Sequence, residues 1–425
     1  MCGILLLSIT GHPVRNFSTI RNEYIHNITS FQLPELQLDF KKNLPLHVSI
    51  TSIDEQQKYF KILLEELKLE NRNALTEKDL LDLELMEYEA RLGLQRLDCE
   101  ADLVRNHPDI SRVKQVTDLP EYKKWYQYFL NKWLCDEVNP DSIFAFGNSQ
   151  VKRAQDNIKM VIKKSGLNES NFYKHLKDTA FFTNDKNEIN ERYEKIQTTI
   201  SSNLQKLFFD YSIPKVKITK SSNKELAQTP GYYSNGTFFY NYFDQPYNKR
   251  CFDWLYIHEA VPGHHFQSSI AERADRSEVQ RLFWYPGYAE GWGAYVEEYG
   301  KDLGVYINIY DELGRWEWDL VRSVRVPMDI GLNYYGWSDE KALAFWKLNI
   351  KNQDEIALRE IARVKRWPVQ AITYKYGSDQ FIRWREKIKS NEGNHFDIRK
   401  FHDAILKRGG LPFAVLKKMV FKNVK

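Results

Sequence analysis

Ile257-His258-Glu259-Ala260-Val261-Pro262-Gly263-His264-His265-Phe266-Gln267 gathers three of the chain's ten histidines, with a glutamate beside the first. Imidazoles and a carboxylate this close together are the donor set of a zinc site with an adjacent general base. The common arrangement sets two histidines four residues apart on one helical face, and Pro262 rules it out here. On an unbroken helix His264 would lie about 240° round from His258, and His265 would share its face about 10.5 Å further along. Neither could meet His258 at one ion. Pro262, however, removes the hydrogen bond to the carbonyl of residue 258, and Gly263 is free to bend. A local bulge of two residues would return the next histidine to the His258 face. The expected ligands are therefore His258 and His264, with His265 as the alternative second imidazole and Glu259 as the base.

A third ligand should come from another helix. Tyr288-Ala289-Glu290-Gly291-Trp292-Gly293-Ala294-Tyr295-Val296-Glu297 supplies Glu290, far enough beyond His264 for a helix, a turn and an antiparallel return. An open fourth position would hold the water that Glu259 deprotonates. Glu297 lies on nearly the same face as Glu290 and reads as a supporting partner or a surface charge. Glu298 reads as a solvated charge.

Outward from this stretch, helical periodicity dominates. Residues 53–98 read as two long amphipathic helices joined near 71–76, and 119–134, 142–165 and 187–209 read as three more. Residues 216–220 alternate as a short strand. The aromatic run 231–243 reads as a small hairpin or sheet turning at Asn235-Gly236. Helices resume at Trp254, with breaks at Pro286-Gly287, Gly336, Pro368 and Gly409-Gly410. No repeat or Pro/Gly-rich linker divides the chain. The expectation is one mostly α domain over 1–425, with an N-terminal helical part to about residue 210 and a catalytic part after it.

Composition excludes several classes. With 61 Lys+Arg against 57 Asp+Glu the net charge is +4, which gives no basic footprint for nucleic acid. The 24 Phe, 25 Tyr and 11 Trp are too many for a disordered chain. No apolar run is long enough to span a bilayer. Cys2, Cys99, Cys135 and Cys251 form no C-x-x-C pair, so neither a disulfide framework nor a cysteine zinc site is expected. The apolar run 4–9 has no basic residue before it and fails as a secretory signal as it stands. The placement is thus cytoplasmic as given, or periplasmic or lipid-anchored through Cys2 if a leader lies upstream.

The motifs resemble a bacterial family of unknown function, number eight-eight-five, which itself looks like a distant branch of the gluzincin metallopeptidases. Residues 258–265 match its H-E-A-x-P-G-H-H. Residues 290–297 match E-G-W-A-x-Y-x-E, with Gly293 in place of alanine. Residues 322–337, 368–377 and 396–412 resemble three further stretches, so the likeness runs from about Gly231 to the end. The resemblance implies a helical zinc peptidase-like body with a deep cleft and a small sheet beside the active-site helix. It implies zinc on His258, His264 and Glu290, with Glu259 as base and Tyr374 donating to the oxyanion. The strand at 231–243, with Tyr240 and Asn241, would pair its edge with a short peptide or amide substrate. Arg325 and Asp329 would pair, either in support of the site or as a buried salt bridge. One departure stands out: Asn333 replaces the family's histidine and cannot carry a proton. That substitution, with a start that looks short for the family, motivates a second reading, a catalytically impaired peptide-binding or scaffold protein.

Overall fold

Local capping sets the ends of the helices that the periodicity predicts. The 53–98 pattern resolves into Ile50–Leu69, capped by Ser49, and Glu77–Asn106, joined by a short 3-10 turn. Pro140–Ser165 starts on a proline at its first turn, where the missing N–H costs nothing, behind the side-chain cap of Asn139. Tyr122–Leu134 and Lys186–Asn203 complete the expected N-terminal set. This computed structural model describes residues 15–31, 36–44, 49–106, 109–227, 229–242, 245–351 and 354–422. The apolar run 4–9, Cys2 and Phe243 lie outside them. Cys99, Cys135 and Cys251 are free thiols. No helix among the described residues is long and apolar enough to cross a membrane.

The protein is mostly helical, and its strands are short. Gly231–Ser234 and Thr237–Tyr240 form the expected hairpin, turning through Asn235 and Gly236 at positive φ. Lys217–Lys220 adds to it in parallel, so the sheet order places Thr237–Tyr240 in the centre. A second pairing joins Phe182–Thr183 to Tyr247–Asn248.

In the second half, Phe252–Glu259 and His264–Arg273 carry the histidines, and Pro286–Val296 carries Glu290. Ile309–Asn333 is the central long helix and continues through Pro327. It packs closely on Pro140–Ser165: a Cβ added at Gly147 would sit 2.6 Å from Val326 and 2.7 Å from Pro327. One hydrophobic core draws on both halves of the chain, from Phe17 and Leu83 to Trp292 and Leu416.

Candidate metal centre

The break between the histidine helices is built from specific side chains. Phe252–Glu259 ends at Ala260, whose φ of −107° and ψ of −102° leave the helical region. The Val261–Pro262 peptide is cis. A Cβ at Gly263 would lie 1.8 Å from the carbonyl oxygen of His258, so only glycine fits there. Trp292 Nε1 donates to the Pro262 carbonyl at 2.8 Å and ties the break to the Glu290 helix. The chain re-enters a helix at His264, and the rings of His258 and His264 meet edge to face with centroids 4.8 Å apart.

Glu290 closes the cluster. Its Oε2 lies 3.4 Å from His264 Nε2 and 3.7 Å from His258 Nε2. Both separations exceed a good hydrogen bond. They are close to the edge of a tetrahedron with metal–ligand distances of about 2.1 Å, which is about 3.4 Å. That oxygen is buried and has no hydrogen-bond partner among the described residues. The donor set therefore fits a divalent ion with zinc's preference for nitrogen and oxygen. Glu259 stands alongside: donor atoms of His258, Glu259 and His264 all lie within 4.8 Å of one another. Its Oε1 is 4.0 Å from His258 Nε2, farther than Glu290 Oε2, which leaves Glu290 as the better third ligand.

The electrostatics favour a cation here. Burial and Arg322 both push the His258 imidazole down, yet its contacts with Glu290 and Glu297 hold it up at about 9. Burial pushes Glu290 up, but the two imidazoles overcome it and hold the carboxyl far below its usual range. Burial raises Glu259.

Behind the donors lies a second set of contacts. Glu297 is 2% exposed, and its Oε1 takes the His258 Nδ1 proton at 2.8 Å. With Nδ1 engaged by Glu297, Nε2 is the ring nitrogen that faces Glu290. This is the carboxylate–histidine arrangement that orients metal ligands. Arg322 Nη1 donates to the same oxygen at 2.5 Å, and its guanidinium lies 5.1 Å from the Tyr374 ring centroid. Tyr374 stacks near-parallel on His258 with centroids 6.0 Å apart, and burial raises its hydroxyl. Glycines permit this closeness. A Cβ at Gly377 would lie 2.1 Å from the Gly287 carbonyl, and one at Gly291 would lie 2.4 Å from Gly377 Cα. The Glu290 and Tyr374 helices therefore touch backbone to backbone. Gly293, where the resemblance has alanine, leaves room for the His258 ring, since a Cβ there would sit 2.7 Å from Cε1. Sequence reasoning missed the role of Arg322. The available signal was a cation among Val321, Val324 and Val326, which burial obliges to find a partner.

Several expectations need correction. His265 turns away from the cluster: its Nε2 donates to the Pro214 carbonyl at 2.8 Å, and its Nδ1 faces the Tyr233 hydroxyl at 3.3 Å. Glu298 is not solvated but bonded to Arg153, Arg315 and Arg385. Arg325 and Asp329 do not pair, because each faces a different element. Arg325 Nε donates to Glu360 at 2.7 Å, and Asp329 accepts from Tyr126, Asn333 and the Val369 backbone. Asn333 donates to Asp329 and the Val364 carbonyl, joining two helices and not the cluster. Tyr240 sits in the central strand, 1% exposed, donating to Asn190. Asn241 staples the 226–230 loop through Leu226 and Thr229. Neither offers itself to a substrate. Two cavities, of about 490 and 400 Å³, lie away from the cluster, one beside Arg192 and Asp311 and one beside Trp337 and Asp339. The cluster reaches solvent through His264 and Glu290, with side chains 17% and 18% exposed.

Comparison with known proteins gives a family and a fold. The family model described as bacterial protein of unknown function (DUF885) matches residues 101–420. No curated protein matches significantly. A candidate lipoprotein from Colwellia psychrerythraea superposes with a TM-score of 0.68 at 22% identity, over 96% of this chain and 74% of the other. A candidate lipoprotein of unknown function from Shewanella oneidensis gives 0.69 at 13% identity, over 96% of this chain and all of the other. At these identities the likeness is one of fold.

Proposed function

This chain belongs to the DUF885 family, and we propose that it is a zinc-dependent hydrolase of peptide or amide bonds in short peptides. The observation that carries the reading is Glu290 Oε2, buried, unpartnered among the described residues and at tetrahedral-edge distance from two imidazole nitrogens. His258, His264 and Glu290 would hold the metal. When bound, such an ion supplies a Lewis acid and a more acidic water. The rest falls to the chain. Glu259, next to His258, takes a proton from the attacking water and passes it to the leaving amine. Glu297, itself held by Arg322, orients the His258 ring so that Nε2 faces the metal position. Tyr374 donates its hydroxyl proton to the oxygen that gains charge.

Substrate pairing is reassigned to the hairpin's outer strand. The Asn241 N–H bonds the Pro230 carbonyl, so by alternation Gly231 and Tyr233 turn their backbone groups away from the sheet. Tyr233 also reaches His265, the neighbour of ligand His264. An extended peptide added to this edge would run beside the histidine helices. The scaffold reading drew on Asn333 and the short start; Asn333 bonds Asp329 and the Val364 carbonyl.

The test is Glu259→Gln. The variant should keep its zinc and lose peptide turnover by at least about 100-fold. Turnover at the wild-type level with zinc in place would overturn the mechanism.

A further inference from the structure

The direction of the Tyr374 hydroxyl is set from outside the cluster. Arg363 Nη2 lies 2.8 Å from Gln370 Oε1, and Gln370 Nε2 lies 3.2 Å from the Tyr374 hydroxyl. A guanidinium only donates, so the end of the amide facing Arg363 must be the oxygen. The amide NH2 therefore faces the phenol, and the phenol oxygen must accept. A phenolic hydrogen prefers the plane of its ring, which leaves it two directions. With that amide donating to the phenol oxygen, the phenolic proton turns away from Gln370.

Each link is held in turn. Gln370 is buried at 5% exposure. The residue before it, Val369, stands at φ 71° with its N–H bonded to Asp329 at 2.8 Å. Thr373 Oγ1 closes on the Gln370 carbonyl at 2.6 Å. Among the described residues the nearest carboxylate to Arg363, Glu360 Oε2, is 4.0 Å away and already takes Arg325 at 2.7 Å. Asp329, which lacks the expected bond to Arg325, instead anchors the backbone that aims Gln370.

We propose that Gln370, oriented by Arg363, is a positioning residue that aims the Tyr374 hydroxyl proton at the oxyanion formed from the substrate carbonyl. The proposal rests on the role given to Tyr374 above. Gln370→Glu tests it with almost no change of shape. A carboxylate accepts from both sides, so the Tyr374 proton would turn into residue 370 and leave the substrate.

The expected result is a fall in kcat of about 100-fold, the usual cost of one oxyanion donor, with KM little changed. Binding of a phosphinic peptide, which mimics the tetrahedral state without turnover, should weaken in parallel by calorimetry. Zinc content and Tm should stay at wild-type values. In a Tyr374→Phe background the same change should add nothing further. Arg363→Lys should retain most activity, and Arg363→Met should lose part of it because the amide can then rotate. A loss in Tyr374→Phe with none in Gln370→Glu, by either kcat or phosphinic binding, overturns this proposal alone. Full activity in Tyr374→Phe overturns it together with the role of Tyr374.

Discussion

His258 and His402 are equally inaccessible, yet their partners drive them in opposite directions. His258 faces Glu290 and Glu297 and is held up at about 9. Among the described residues His402 has only neutral hydrogen-bond partners: its Nδ1 donates to the Leu207 carbonyl, and Tyr295 donates to its Nε2. Burial drives it down to about 3, helped by Arg385, with Asp397 opposing weakly. The sign follows directly. Between pH 6.5 and 3 the unfolded chain binds a proton that the folded His402 refuses, so its contribution is complete above pH 6.5 and is lost as pH falls. Asp253 and Asp329, raised by burial to about 7, act in the opposite sense: they favour the fold at low pH and lose that contribution as pH rises. Comparison with His402→Gln cancels them. From pH 7 to pH 5 the stability of wild type relative to the variant should fall by about 2 kcal/mol in urea unfolding. Parallel pH profiles would show that His402 titrates normally in the fold.

At the scale of elements, the site depends on two helices that could not approach if they carried side chains at the contact. Gly287 and Gly291 on one face Gly377 on the other, and a Cβ at Gly377 would lie 2.1 Å from a carbonyl oxygen that cannot rotate away. Gly377→Ala must therefore part Pro286–Val296 from Thr373–Glu392. Overpacking of this kind costs about 1–3 kcal/mol. Because Glu290 and Tyr374 sit on the two helices, turnover should fall more than the loss of folded protein explains. Wild-type denaturation and kinetics in the variant would contradict the packing. The helices themselves were readable from their 3.6-residue period, and the Pro262-Gly263 break from the chemistry of those two residues. The sheet was only half readable. The hairpin announces itself by a local turn, but the parallel strand Lys217–Lys220 joins it across an intervening loop. That pairing moved Tyr240 from an edge to the centre.

Over the whole molecule, what the sequence disclosed and what it hid divide by distance along the chain. His258, Glu259 and His264 lie within one turn-broken stretch, and Glu290 follows within the span of a helical hairpin, so spacing and donor chemistry suffice to gather them. Glu298 meets Arg153 from a helix far upstream, and Arg325 meets Glu360 from the helix beyond. No period or motif encodes such partners. The net charge of +4 hides them too, because the buried charges cancel in local groups such as Glu297 with Arg322 and Asp319 with Lys375. His258, Glu259, His264 and Glu290 form the proposed metal centre. Metal content and zinc affinity of the purified chain, measured beside Glu290→Gln, test it most directly. The account predicts one zinc per chain in wild type and binding weakened by about tenfold or more in the variant. A wild-type chain that takes up no zinc, or a variant that holds it equally well, would contradict it.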